Sequence, residues 1–145
     1  MMSESPCELC SQPGGDVLHR HEKFRVVLVD DVQYPGFCRV IWNAHVREMT
    51  DLSAPDRALL MQAVWQVEAA VREIMRPDKM NVASLGNMVP HLHWHVIPRY
   101  SDDAHFPAPI WAQLQRTTED AVLTARAELL PLLRESLVRR LGGAD

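Results

Sequence analysis

No stretch of this sequence is apolar for anything near the ~20 residues that a helix needs to cross a bilayer, which argues against a membrane partner. Positive charge is also scarce. Fifteen Lys and Arg stand against nineteen Asp and Glu, a net charge of −4 with the seven histidines neutral. That balance argues against nucleic acid as a partner, while a local phosphate site needs only a few donors. Three cysteines, Cys7, Cys10 and Cys38, are too few for a disulfide framework and read as thiols or metal ligands. The opening Met1-Met2-Ser3-Glu4-Ser5-Pro6 has neither a basic nor an apolar segment, so no secretion signal is expected and a cytoplasmic setting is. Internal repeats, low-complexity tracts and interdomain linkers are missing as well. What is there is 145 residues, 47% hydrophobic and 23% charged, which suits one domain, 1–145, with a real core.

Against that background one segment stands out, Pro90-His91-Leu92-His93-Trp94-His95-Val96-Ile97-Pro98. Strict alternation is the strand period, so His91, His93 and His95 should share one face, with Leu92, Trp94 and Val96 packed beneath. A row of imidazoles packs poorly, which favours a site. Two chemistries fit it. All three could bind a metal ion as neutral imidazoles. Alternatively, one imidazole attacks phosphorus in a phosphate ester or anhydride while its neighbours stabilise charge or protonate the leaving oxygen. An ordinary imidazole pKa of roughly 6.5 leaves such a nucleophile neutral at pH 7.

The rest of the chain reads as a scaffold. Cys7-Glu8-Leu9-Cys10 is half a zinc site, whose other ligands would have to be histidines or carboxylates. Residues 17–18 and 24–29 form a hairpin, and 37–42 a third strand with Cys38 as a core residue. Ser53 is an N-cap with Pro55 just inside the helix, and apolar residues at helical spacing from Leu59 to Met75 run about six turns, until Pro77. Residues 79–85 return as a strand, with the histidine strand antiparallel to it. In the irregular stretch 101–111, Phe106 and Trp111 are expected to fill a core or a subunit contact. Residues 118–141 are helical, kinked or split at Pro131 and ended by Gly142-Gly143. The order β-β-β-α-β-β-α indicates an α+β domain built on an antiparallel sheet.

The run His91-Leu92-His93-Trp94-His95-Val96-Ile97 resembles the His-φ-His-φ-His-φ-φ signature of the histidine triad family of nucleotide hydrolases and transferases. The likeness extends from Cys7 to about Arg99 and takes in the Pro35-Gly36 turn, the central helix and the last two strands. It implies a HIT-like five-stranded antiparallel sheet with a central helix and a C-terminal helix, the signature-bearing part being 7–100 and the extension 101–145. It also implies a homodimer and a small-molecule nucleotide substrate, cleaved at the α-phosphorus of a phosphoanhydride or phosphoramidate through a nucleotidyl-histidine intermediate. By position, His93 would be the nucleophile, and His95 would bind phosphate and protonate the leaving group. Asp30, with Asp31 beside it, would contact a ribose, and Asn87 a phosphate. In a zinc-containing bacterial branch the first histidine joins an amino-terminal Cys-x-x-Cys and a histidine after the third strand. Cys7, Cys10, His45 and His91 hold those places here and imply a structural Zn(2+), with His19 and His21 as competing ligands. Three departures go with the resemblance. The connection Gly86-Asn87-Met88-Val89-Pro90 replaces a Gly-Gln-Ser type of segment, Phe37 stands where a further histidine often does, and the tail from Ser101 matches no branch. The first two keep open an alternative, a non-catalytic nucleotide-binding or scaffold protein with a structural zinc.

Overall fold

The computed structural model describes residues 7–142, so the expectations placed on Met1–Pro6 and on Gly143 lie outside the described residues. A one-turn helix α1 (Glu8–Ser11) leads into strands β1 (Asp16–Arg20), β2 (Phe24–Leu28) and β3 (Cys38–Trp42). A 3-10 turn at Met49–Asp51 and the long helix α2 (Ala54–Met75) follow, then β4 (Lys79–Ala83), β5 (His93–Arg99), α3 (Asp120–Ala127) and α4 (Leu130–Gly142). The five strands form one sheet in the order β1-β2-β3-β5-β4, and every neighbouring pair is antiparallel. The crossover through α2 carries the chain past the place that β5 later fills, so the β4–β5 return seats the histidine strand inside the sheet, between β3 and β4.

Alternation along the strands decides which face meets which layer. Val26 and Leu28 of β2, Cys38, Val40 and Trp42 of β3, and Val96 of β5 share a core with Leu60, Val64, Val67 and Val71 of α2. Cys38 is fully buried there, as a core residue should be. Helix α2 starts where expected, since the Ser53 hydroxyl accepts the Asp56 amide at 3.3 Å, and it ends at Met75, before Pro77. The expected C-terminal helix is two helices. Pro131 sits in the first turn of α4, where its missing N–H costs nothing, and the break falls at Glu128–Leu129. Leu133 and Leu137 of α4 are fully buried in the same core, and α4 packs on α2 and β1. The expected extension is thus part of the layer that supports the sheet. Among the described residues no helix is long and apolar enough to cross a membrane.

The opposite face, which carries the odd-numbered residues of β5, is covered by two segments outside the sheet and the long helices. One is residues 7–15. The Arg25 guanidinium reaches up from β2 and donates to the carbonyls of Leu9 (2.6 Å), Gln12 (3.1 Å) and Pro13 (2.8 Å), and to Asn43 Oδ1 (2.9 Å). The other cover is the loop after β5. Arg99 donates from Nε and Nη2 to the two carboxylate oxygens of Asp103, at 2.8 and 3.0 Å. Asp103 also accepts from the Tyr34 hydroxyl and from the amides of Tyr100, His105 and Phe106. Burial alone would raise the Asp103 pKa, but the Arg99 and amide hydrogen bonds override it and bring it down to about 2.

A carboxyl depressed in the folded state stabilises fully above its unfolded value of roughly 4 and loses that contribution as pH falls through the folded one. Stability in urea should therefore drop between about pH 4 and pH 2. Asp103→Asn should cost about 3–5 kcal/mol at pH 7 by leaving Arg99 buried and unpaired, and should flatten that acid limb. An unchanged limb in the variant contradicts the assignment.

Candidate functional site

The structure divides the histidine row. Strand β5 begins at His93, so His91 lies in the approach to it rather than on its ladder, beside the end of β3. That approach is still tied down, because the Leu92 amide donates to Val46 O and the Trp42 amide donates to Leu92 O. All three imidazoles are buried, at 0%, 7% and 5% exposure for His91, His93 and His95.

Each ring of the first pair is oriented by a backbone carbonyl. His91 Nε2 lies 2.5 Å from Trp42 O, and His93 Nδ1 lies 2.5 Å from His91 O. A carbonyl only accepts, so His91 carries its proton on Nε2 and His93 on Nδ1. The bare lone pairs are then Nδ1 of His91 and Nε2 of His93, opposite nitrogens on consecutive histidines of the row. Burial pushes the pKa of both below the ordinary imidazole range, against the carbonyl bonds that favour the charged form. His95 is driven furthest, to about 3, by burial and by the neighbouring His93 and Arg39. Its Nδ1 is buried without a hydrogen-bond partner among the described residues.

The lone pair of His91 points into a four-residue cluster. Its Nδ1 lies 3.3 Å from Cys7 Sγ, 3.5 Å from Cys10 Sγ and 3.3 Å from His45 Nδ1, and Cys10 Sγ lies 3.4 Å from His45 Nδ1. The four donor atoms all lie within 4.8 Å of one another and could hold a metal ion. His19 and His21 lie elsewhere. The His21 ring stacks on Phe24 at 4.5 Å and its Nδ1 accepts the Lys23 amide, while His19 tilts against the same phenyl ring.

His93 and His95 instead line a cavity of about 800 Å³. One wall is the amino-terminal segment, through Glu8, Leu9 and Gln12 to Gly15. The other is the 85–89 connection, which brings Asn87 to the rim. Gly14, at φ +85°, has no room for a side chain, because a Cβ would lie 2.8 Å from both Ile41 Cδ1 and Leu9 Cδ2. Trp111 closes the cavity, with its ring 4.9 Å from that of His95 in an edge-on arrangement.

Two expectations are corrected here. Trp111, 52% exposed, lines the cavity and does not plug the core. Asp30 is not in the cavity of His93 and His95. The chain leaves the sheet after Leu28, and Asp30 lines a separate cavity with Asp16, Asp120, Thr124 and Arg134. Phe37, standing where a donor was looked for, is buried and tilted against the His95 ring at 5.7 Å. Sequence reasoning passed over Arg25 and Arg39. The available signal was a charge inside each of two otherwise apolar strands, on the parity that faces the histidines. Trp111 had no local signal, because its place depends on how the 100–116 loop returns to the sheet.

The HIT domain family model matches residues 12–102. Among solved structures, a histidine triad protein of Bradyrhizobium japonicum is 31% identical with a TM-score of 0.68, over 87% of this chain and 91% of that one. A Zn-bound histidine triad family protein of Mycobacterium smegmatis is 25% identical with a TM-score of 0.57, over 90% of this chain and 88% of that one. An AP-4-A phosphorylase of Mycobacterium tuberculosis is 32% identical over 78 residues, which are 50% of this chain. The chain spans about 40% of that protein's length.

If the cluster binds metal, purified protein should carry one equivalent by elemental analysis. Cys10→Ala should lose it together with several degrees of thermal stability, and His93→Ala should keep it. Equal metal loss in both variants would mean that His93 belongs to the metal site as well.

Proposed function

The chain belongs to the HIT domain family, and from that premise we propose that it is a nucleotide hydrolase or nucleotidyl transferase acting at the α-phosphorus of a nucleoside phosphoanhydride or phosphoramidate. The observation that carries the reading is the 2.5 Å contact between His93 Nδ1 and the His91 carbonyl, which assigns the ring's proton to Nδ1. With Nδ1–H spent on the His91 carbonyl, Nε2 is left as a neutral, buried nucleophile in a nucleotide-sized cavity.

The reaction runs in two displacements. His93 Nε2 gives its lone pair to the α-phosphorus, an N–P bond forms, and the bond to the leaving oxygen or nitrogen breaks with its electron pair. The leaving atom takes a proton from His95. Burial keeps that imidazole neutral in the free protein, and the negative charge of a bound phosphate favours its protonated form, so His95 takes up the proton from solvent as the substrate binds. Water then attacks phosphorus and gives a proton to His95, which the first displacement left neutral; the N–P bond breaks back to the neutral His93 imidazole, and a nucleoside monophosphate leaves. Asn87 at the rim supplies an amide donor to phosphate oxygens.

The same reading assigns a structural zinc to Cys7, Cys10, His45 and His91. A tetrahedral ion at about 2.3 Å from sulfur and about 2.05 Å from nitrogen would hold its ligand atoms roughly 3.4–3.8 Å apart. Four of the six separations, at 3.3–3.5 Å, and the bare Nδ1 of His91 suit that set, whose atoms all lie within 4.8 Å of one another. The Trp42 carbonyl is the outer partner that a ligating imidazole needs. With four protein ligands the ion would be closed to substrate; it would tie the amino-terminal cavity wall to the approach of β5. A homodimer in a cytoplasmic setting belongs to the same proposal.

A second reading, a nucleotide-binding protein without turnover, draws support from Phe37 packed on His95 where a hydrogen-bonding group could have stood. Labelled diadenosine tetraphosphate carrying 32P at the α-phosphorus separates the two. Wild type should form an acid-labile adduct on His93, and His93→Ala should form none and lose turnover about a thousandfold or more. Bound nucleotide with no adduct in wild type would establish the second reading instead.

A further inference from the structure

Arg39 has no part in the chemistry above, yet it is the only Lys or Arg lining the cavity among the described residues. It stands on β3 directly opposite His95 on β5, so the two side chains rise together from neighbouring strands. One nitrogen, Nη1, donates to Gly14 O at 3.1 Å. Its Nε is buried with no partner, and among the described residues Arg39 makes no ion pair. A guanidinium has five donors, so most of them are unspent.

The same sheet face offers a comparison. Arg25, two strands from β5, is a structural arginine: it meets three carbonyls and an amide oxygen, and it lines no part of the cavity. Arg39 shows none of that saturation. A single bond to the Gly14 carbonyl could be made by a neutral donor at far lower desolvation cost. The Glu8 carboxylate lines the same cavity and its charge acts on Arg39, but the two form no ion pair, so a half-buried cation with free donors beside two imidazoles still has room for an anion. Its position says which anion. In an in-line displacement the nucleophile and the leaving group occupy opposite sides of phosphorus. Across the β3–β5 pair, His93 faces Ile41 and His95 faces Arg39, so the charge sits on the leaving-group side.

We propose that Arg39 is the substrate-discriminating cation of the cavity, holding a phosphate of the leaving group and so selecting phosphoanhydrides over phosphoramidates with uncharged leaving groups. The inference rests on the nucleotidyl-transfer reading and gives it a substrate class. Arginine suits the task because its planar fork meets two phosphate oxygens at once, which a lysine cannot do.

Arg39→Gln removes the charge and keeps a donor for Gly14 O, and Arg39→Lys keeps the charge without the fork. With diadenosine tetraphosphate and adenosine 5′-phosphoramidate as substrates, Arg39→Gln should lower kcat/KM for the tetraphosphate about thirtyfold relative to the phosphoramidate, with partial recovery in Arg39→Lys. An equal fall for both substrates, or no fall, overturns the proposal. Titration calorimetry with ADP and AMP tests the cation apart from catalysis. Wild type should bind ADP at least about tenfold more tightly than AMP, the preference should shrink as ionic strength rises, and Arg39→Gln should abolish it. A wild-type protein with no ADP preference refutes the assignment without any variant, and so does a variant that keeps the preference. Should wild type form no nucleotidyl adduct while its ADP preference depends on Arg39, the catalytic reading fails and the assignment of the cation stands.

Discussion

Two short hydrogen bonds from imidazole to backbone carbonyl govern this structure, His91 Nε2 to Trp42 O and His93 Nδ1 to His91 O. Each removes one nitrogen from chemistry and exposes the other. Because the carbonyls meet opposite nitrogens, histidines two residues apart turn their lone pairs to different places. One faces two thiols and a second imidazole, and the other faces the cavity. A single stretch of chain thereby serves a cluster that could hold a metal and the cavity in which we propose attack on phosphorus.

Such small differences in ring orientation persist only if the backbone around them is held. The core between the sheet and α2 fixes one face of β5, and the opposite face is held by two small apolar clusters, Leu9 with Val27 and Ile41 and Tyr34 with Phe37 and Ile97, together with polar contacts. Arg25 ties down the amino-terminal segment by its carbonyls, and Arg99 with Asp103 ties down the loop that carries Trp111. Leu9 and Ile110 anchor these segments by apolar contact, and charge-assisted hydrogen bonds to backbone groups order the rest. Both segments also form cavity walls, so the fastenings of the fold set the shape of the site. Arg39 shares the sheet face of Arg25 but spends only one donor, on the Gly14 carbonyl, and that contrast between neighbouring strands separates a fastening from a candidate contact with substrate.

Local patterns carried much of this in the sequence. Alternation placed the histidines on one face, the Ser53 cap and Pro77 bounded α2 closely, and the antiparallel five-stranded sheet followed from the order of elements and the family signature. The Cys7, Cys10, His45 and His91 cluster came from spacing and resemblance together, and the fold does bring the four donor atoms into one place. What escaped depends on where distant segments return. Trp111 reaches His95 only because the Arg99–Asp103 pair folds its loop back over the sheet. Asp30 misses the cavity because the chain leaves β2 beyond Leu28. The strand period treated His91 as one more member of the row, whereas β5 starts two residues later and lets that ring swing toward the cysteines. No periodicity reports a tautomer.

Long-range proton–nitrogen correlation spectra of the imidazoles, recorded at pH 7 on protein labelled with 15N, test the central claim most directly. The account predicts opposite tautomers in one molecule, the proton on Nε2 of His91 and on Nδ1 of His93, with both rings neutral. The same tautomer on both rings, or a charged His93, would contradict it.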